Sequence, residues 1–161
     1  MEFSFTVDTF PKKKLIGQKI RTSMSKAGEE CPALWMTFAP RIAGELCKAK
    51  LIEGAEATYG VSRMIDDQLF DYWALIETQT DDLTLLPQDM ETFIIEEGLY
   101  LSTEAASLEQ LGFAYHALYE KWPQTQSEYK LDMSGISFER YPDLWTPADP
   151  FRIYASVLKN S

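Results

Sequence analysis

The chain has 161 residues, 45% of them hydrophobic and 13% aromatic, about one domain's worth of length and too apolar for a disordered chain. Fifteen Lys and Arg against twenty-five Asp and Glu leave a net charge of −10, which repels polyanions and argues against direct nucleic-acid binding. Two cysteines and one histidine exclude the usual Cys/His zinc sites, so no metal and no cofactor is expected. No window approaches the roughly eighteen apolar residues of a membrane span and no cleavable leader pattern is present, so the expectation is a cytoplasmic protein with no membrane partner.

In chain order, Phe3 to Asp8 alternates apolar and polar side chains as a half-buried strand does, and Leu15 to Thr22 reads as a second strand. Pro32 suits the first turn of a helix carrying Leu34, Phe38, Ile42 and Leu46, with Pro40 ending its regular part. Ala57 to Ile65 and Leu69 to Thr78 predict a hairpin around Asp66-Asp67. Leu83 to Gln88 is a connector, after which the pattern restarts. Strands are expected over Thr92–Glu96 and Leu99–Thr103. Ser107 can cap a helix with apolar positions Leu108, Leu111, Tyr115, Leu118 and Trp122, stopped by Pro123. Ser137–Tyr141 and Phe151–Leu158 complete the set. Two halves of one pattern, about 3–80 and 89–159, predict an α+β chain forming a single domain over 1–161, with antiparallel sheet and helices on one face.

Alternation sorts the strand residues by face. Taking Phe138 with Phe151, Ile153, Ala155 and Val157 as the core side leaves Glu139, Tyr141, Tyr154 and Arg152 opposite. In the first half, Phe70, Tyr72, Ala74 and Ile76 oppose Asp71, Trp73, Leu75 and Glu77. Two facing sheets bearing these residues would enclose a cleft. A carboxylate among aromatic faces suits a bulky organic cation, because the ring quadrupole attracts positive charge. The plainer reading makes Glu139 an exposed strand residue paired with Arg140 or Arg152. His116 lacks a nucleophile placed by sequence to partner it, and no residue is assigned a catalytic role. Cys31, near the helix start, is positioned where a thiol pKa can fall; Cys47 reads as packing.

Several segments together resemble the DNA gyrase inhibitor-like (GyrI-like) effector-binding domain found in AraC-type and MerR-type drug-responsive activators and as free-standing proteins. They are Cys31 to Arg41, Thr58-Tyr59-Gly60-Val61, Ile95 to Leu101, Tyr119-Glu120-Lys121-Trp122, Phe138-Glu139-Arg140-Tyr141 and Arg152-Ile153-Tyr154. The resemblance implies two strand-helix-strand-strand repeats about a pseudo-twofold, with an aromatic cleft between them. It also implies an acidic contact to cationic ligands at Glu139, a cleft tyrosine at Tyr154 and a helix tryptophan at Trp35. Where relatives carry a second acid, this chain has Arg152, expected to neutralise Glu139 in the empty site. The ligand-binding set is therefore expected to be Glu139, Tyr141, Tyr154, Trp35, Trp73, Glu77, Tyr59, Phe38 and Arg152.

The leading functional expectation is a non-enzymatic module binding lipophilic, cationic or other small hydrophobic molecules, for sensing or sequestration. The alternatives are a small-molecule hydrolase using a cleft Glu as base with tyrosine donors, and an interaction protein of the gyrase-inhibitor kind. A homodimer or a protein partner is left open.

Overall fold

The computed structural model describes residues 2–161. Its strands are β1 (Phe5–Phe10), β2 (Lys13–Ser23), β3 (Ala57–Met64), β4 (Leu69–Glu77), β5 (Glu91–Ile95), β6 (Gly98–Ala105), β7 (Tyr129–Leu131), β8 (Ile136–Pro142) and β9 (Phe151–Lys159). They form one antiparallel sheet in the order β1-β6-β9-β8-β3-β4-β2-β5, with β7 added beside β9. The chain is thus α+β as expected, but with a single sheet in place of two facing ones.

The topology explains why that sheet curls. β1 and β5 stand at opposite ends of the strand order, yet only Pro11 and Lys12 separate β1 from β2, and only Glu96 and Glu97 separate β5 from β6. The register runs on through both crossings: Phe5 faces Thr103, Phe10 faces Gly98, Lys13 faces Ile95 and Gly17 faces Glu91. One long two-stranded ribbon therefore belongs to both ends of the sheet and draws them together into a half-barrel. The halves correspond as β2-β4-β3 and β6-β9-β8, joined along β3 and β8. This is the two-repeat arrangement read from the sequence.

One sheet face closes on itself around an aromatic core in which Phe10 reaches Phe138 at 5.1 Å and Tyr154 at 5.0 Å, while Phe138 stacks on Tyr154 at 4.6 Å. The other face carries both helical segments. Helix α1 (Ala27–Arg41) lays Leu34 and Phe38 on the first half and runs into a π-helical turn, Ile42–Leu46. It starts five residues before Pro32, so that proline is internal and not at the first turn; Pro40 does stand one residue before the end. The second helical segment is uneven: a 3₁₀ turn at Leu108–Gln110, α2 (Leu111–His116), a π turn at Ala117–Lys121 and a 3₁₀ turn at Trp122–Gln124. Ser107 makes no side-chain cap bond; Gln110 Oε1 instead accepts from the backbone N–H of Ala106. Leu118 and Trp122 are buried against β6 and β9 residues. No helix among the described residues is long and apolar enough to cross a membrane.

Candidate functional site

Directly paired residues on neighbouring strands point to the same side of a sheet. Phe138 pairs with Tyr154, Glu139 with Ile153 and Arg140 with Arg152. This corrects the face assignment made from alternation. Glu139 and Tyr141 lie on the helix-bearing face, with Ile153 and Phe151, whereas Tyr154 and Arg152 lie on the opposite face with Phe138. The same register places Tyr59, Trp73 and Glu77 with Tyr154 and Arg152. Five of the nine expected residues therefore cannot share a cleft with Glu139. Arg152 does not neutralise it either, and donates instead to Ser102 Oγ at 2.9 Å.

The helix-bearing face gathers the other four. Glu139 is only 4% exposed. It accepts hydrogen bonds from the phenol of Tyr115 on α2, from Tyr141 at 3.1 Å and from Tyr72 on β4 at 3.4 Å. Trp35 Nε1 donates to Tyr72 Oη at 2.8 Å, and Phe38 backs Trp35 with ring centroids 6.0 Å apart. The constellation joins both halves, since Trp35 and Tyr72 come from the first, and Tyr115, Glu139 and Tyr141 from the second. Gly60 pairs with Glu139 across β3 and β8, and any Cβ there would stand 2.3 Å from Tyr72 Oη and 2.8 Å from Glu139 Oε1. Glycine lets both polar groups settle against the sheet.

Among the described residues no basic side chain lies within ion-pair distance of Glu139. Burial pushes its carboxyl pKa up to about 7, and the three phenolic donors hold it from rising further. Burial first, and then the Glu139 charge, raise Tyr72, Tyr115 and Tyr141 well above the ordinary phenol range, so they remain donors. Cys31 is pushed up to about 12 by burial and by Glu139; it sits inside α1 and is a poor nucleophile, contrary to the helix-start expectation.

Beside this network lies a cavity of about 560 Å³, lined mainly by apolar groups including Met24, Met64, Phe70 and Ile136, with Tyr115, Tyr119 and Ser137 on its wall. Glu139 does not line the cavity; Tyr115 does, and bonds to the carboxylate behind it. Sequence reasoning missed Tyr72, Tyr115 and Tyr119. Tyr115 and Tyr119 stand four residues apart on the buried stripe of the second helix, stacked at 6.1 Å, and two phenols on an apolar stripe are the signal that was available.

On the other face Glu77 is 3% exposed. It accepts from Tyr59 Oη at 2.6 Å and from the Glu56 backbone N–H at 2.9 Å, with Lys13 Nζ at 3.8 Å. Trp73 packs on Phe93 at 4.7 Å and donates to Glu91 at 2.8 Å.

No family model and no curated protein matches the chain. Solved structures do match over nearly its whole length. SAV2435 bound to tetraphenylphosphonium aligns with a TM-score of 0.72 at 16% identity, covering 98% of this chain and 94% of that one. The EcmrR C-terminal domain aligns with a TM-score of 0.67 at 15% identity, covering 99% and 100%. A hydrolase encoded by lin2189 from Listeria innocua aligns with a TM-score of 0.59 at 12% identity, covering 96% and 91%. At these identities the likeness is one of fold, and it agrees with the fold that the sequence resemblance implies.

Proposed function

We propose that this chain is a single effector-binding unit that takes up lipophilic organic cations between its second helical segment and the sheet, with Glu139 as the counter-ion. The observation that carries the reading is a buried carboxylate with phenolic partners only, next to an apolar cavity. Removing a charge from water is costly unless it is compensated, and a cation lodged among rings compensates it while keeping its own attraction to the ring faces. Tyr115 has to turn aside for a ligand in the cavity to reach Glu139, and Trp35 reports the event. The neighbour bound to tetraphenylphosphonium supports the choice of probe.

The test compares tetraphenylphosphonium with tetraphenylborate, which has nearly the same shape and the opposite charge, by tryptophan quenching and calorimetry. The cation is expected to bind saturably and the anion not. Glu139→Gln is expected to weaken the cation about tenfold or more, as loss of a charge-assisted contact should. Equal binding of the two probes overturns the reading.

A second reading is supported by the same carboxyl. A Glu with a pKa near 7, flanked by phenols, is suited to act as general base toward water, and the neighbours include a protein described as a hydrolase. Mass spectrometry of bound electrophilic ligands after incubation separates the two, because a binding module returns them unchanged.

A further inference from the structure

On the face opposite Glu139, Arg140 and Arg152 stand directly across from each other on β8 and β9. Like charges in that position repel. The other three arginines are matched: Arg21 pairs with Asp71, Arg41 with Glu45 and Asp89, and Arg63 lies over the rings of Trp73 and Phe93. Arg140 and Arg152 have no carboxylate within ion-pair distance among the described residues. Their polar partners are hydroxyls, Tyr59 Oη at 3.2 Å from Arg140 Nε and Ser102 Oγ at 2.9 Å from Arg152 Nη2. In a molecule of net charge −10 with twenty-five acidic side chains, two arginines on paired strand positions with no carboxylate within ion-pair distance call for an explanation.

The nearby acids supply it only in part. Glu77 acts on Arg140 from beyond ion-pair distance, and its oxygens are already engaged by Tyr59, the Glu56 backbone and Lys13. Glu104 faces Arg152 from β6, but it is exposed and forms no ion pair with it. Both arginines are half-buried as residues, and each side chain is held by a hydroxyl that leaves most of its N–H donors free. A guanidinium fork matches the oxygens of phosphate in pairs, and an already ordered fork loses little freedom on binding.

We propose that Arg140 and Arg152 form a site for a compact dianion of the phosphate-monoester class, with Ser102 and Tyr59 fixing the two forks. Two fixed positive charges match a dianion better than a carboxylate, which would neutralise only one. Because Glu139 and Arg140 are consecutive, this site lies on the opposite side of β8 from the carboxylate, and it does not depend on the function proposed for that side.

The experiment is a titration of the full chain with phenyl phosphate, and in parallel with acetate, at constant ionic strength, following the arginine Nε–H resonances by NMR. Saturable shifts of two arginine signals with phenyl phosphate, and at least about tenfold weaker binding of acetate, are expected. The side-chain hydrogen bond that Arg152 makes among the described residues is to Ser102 alone, so Arg152→Gln is the primary variant and is expected to weaken phenyl phosphate about tenfold or more. Arg152→Lys, which keeps the charge and loses the fork, is expected to weaken it as well. Glu104→Gln, which removes the competing acid, is expected to strengthen it. No saturable shift, equal binding of acetate, or unchanged affinity in a folded Arg152→Gln protein overturns the proposal.

Discussion

Glu139 carries a proton in the folded chain over a pH range where the unfolded chain has lost it. Its carboxyl moves from 4.5 up to about 7 on burial. Between those values the folded state binds the extra proton, so stability falls as pH rises across that window, by about 3 kcal/mol in total, and is level outside it. Urea denaturation at pH 5 and pH 8 should show this loss in the parent chain, whereas Glu139→Gln should be more stable than the parent at pH 8 and close to it at pH 5. Parallel pH profiles for the two proteins would exclude the assignment. A cation beside Glu139 favours the carboxylate, so its binding at pH 6 should release close to one proton, measured by calorimetry in two buffers of different ionisation heat, and affinity should fall as pH drops below about 7. Glu139, Tyr141 and Trp35 were legible in the sequence because each sits in a recognisable segment. Tyr154 and Arg152 were misplaced because alternation within one strand says nothing about its offset from the next, and an offset of one residue reverses every face.

The elements came through more fully than the site did, because periodicity belongs to a strand or helix and contacts do not. All the expected strands are present within a few residues. Strand β7, three residues long, is too short to show alternation, and the curl of the sheet depends on which strands pair at long range, which no local pattern carries. Gly60 shows the same limit: nothing in Thr58-Tyr59-Gly60-Val61 reveals that Tyr72 and Glu139 occupy the space above it. Gly60→Ala must displace both, and is expected to lower stability by about 1–3 kcal/mol and to weaken tetraphenylphosphonium binding as well. A variant that melts earlier yet binds unchanged would detach Gly60 from the site. Trp122 gives the converse case: it is 5% exposed in the core formed by the second helical segment and is not a hydrogen-bond partner of Glu139. Trp122→Ala should cost about 3–5 kcal/mol by denaturation while leaving ligand quenching intact, and Trp35→Phe should remove the quenching at small cost in stability.

At the scale of the whole molecule, charge acts at two ranges that experiment can separate. Residues 1–50 carry nine basic and five acidic side chains, so they are net +4 and the remainder is net −14. A field from dispersed surface charge is screened over about 10 Å at about 0.1 M salt, whereas Glu139, buried among phenols, is shielded from mobile ions. The dispersed charge therefore governs how fast an organic cation arrives, and Glu139 governs how long it stays. Stopped-flow binding of tetraphenylphosphonium between about 0.01 and about 0.5 M salt should show association slowing several-fold with dissociation nearly constant. Glu139→Gln should do the reverse, raising the dissociation rate about tenfold or more with little change in association. If salt and the Glu139 substitution act on the same rate constant, the carboxylate is part of the general acidic field and the counter-ion role fails. Dissociation that changes only with the substitution would place the specific attraction at Glu139, a buried carboxylate with no basic side chain within ion-pair distance among the described residues.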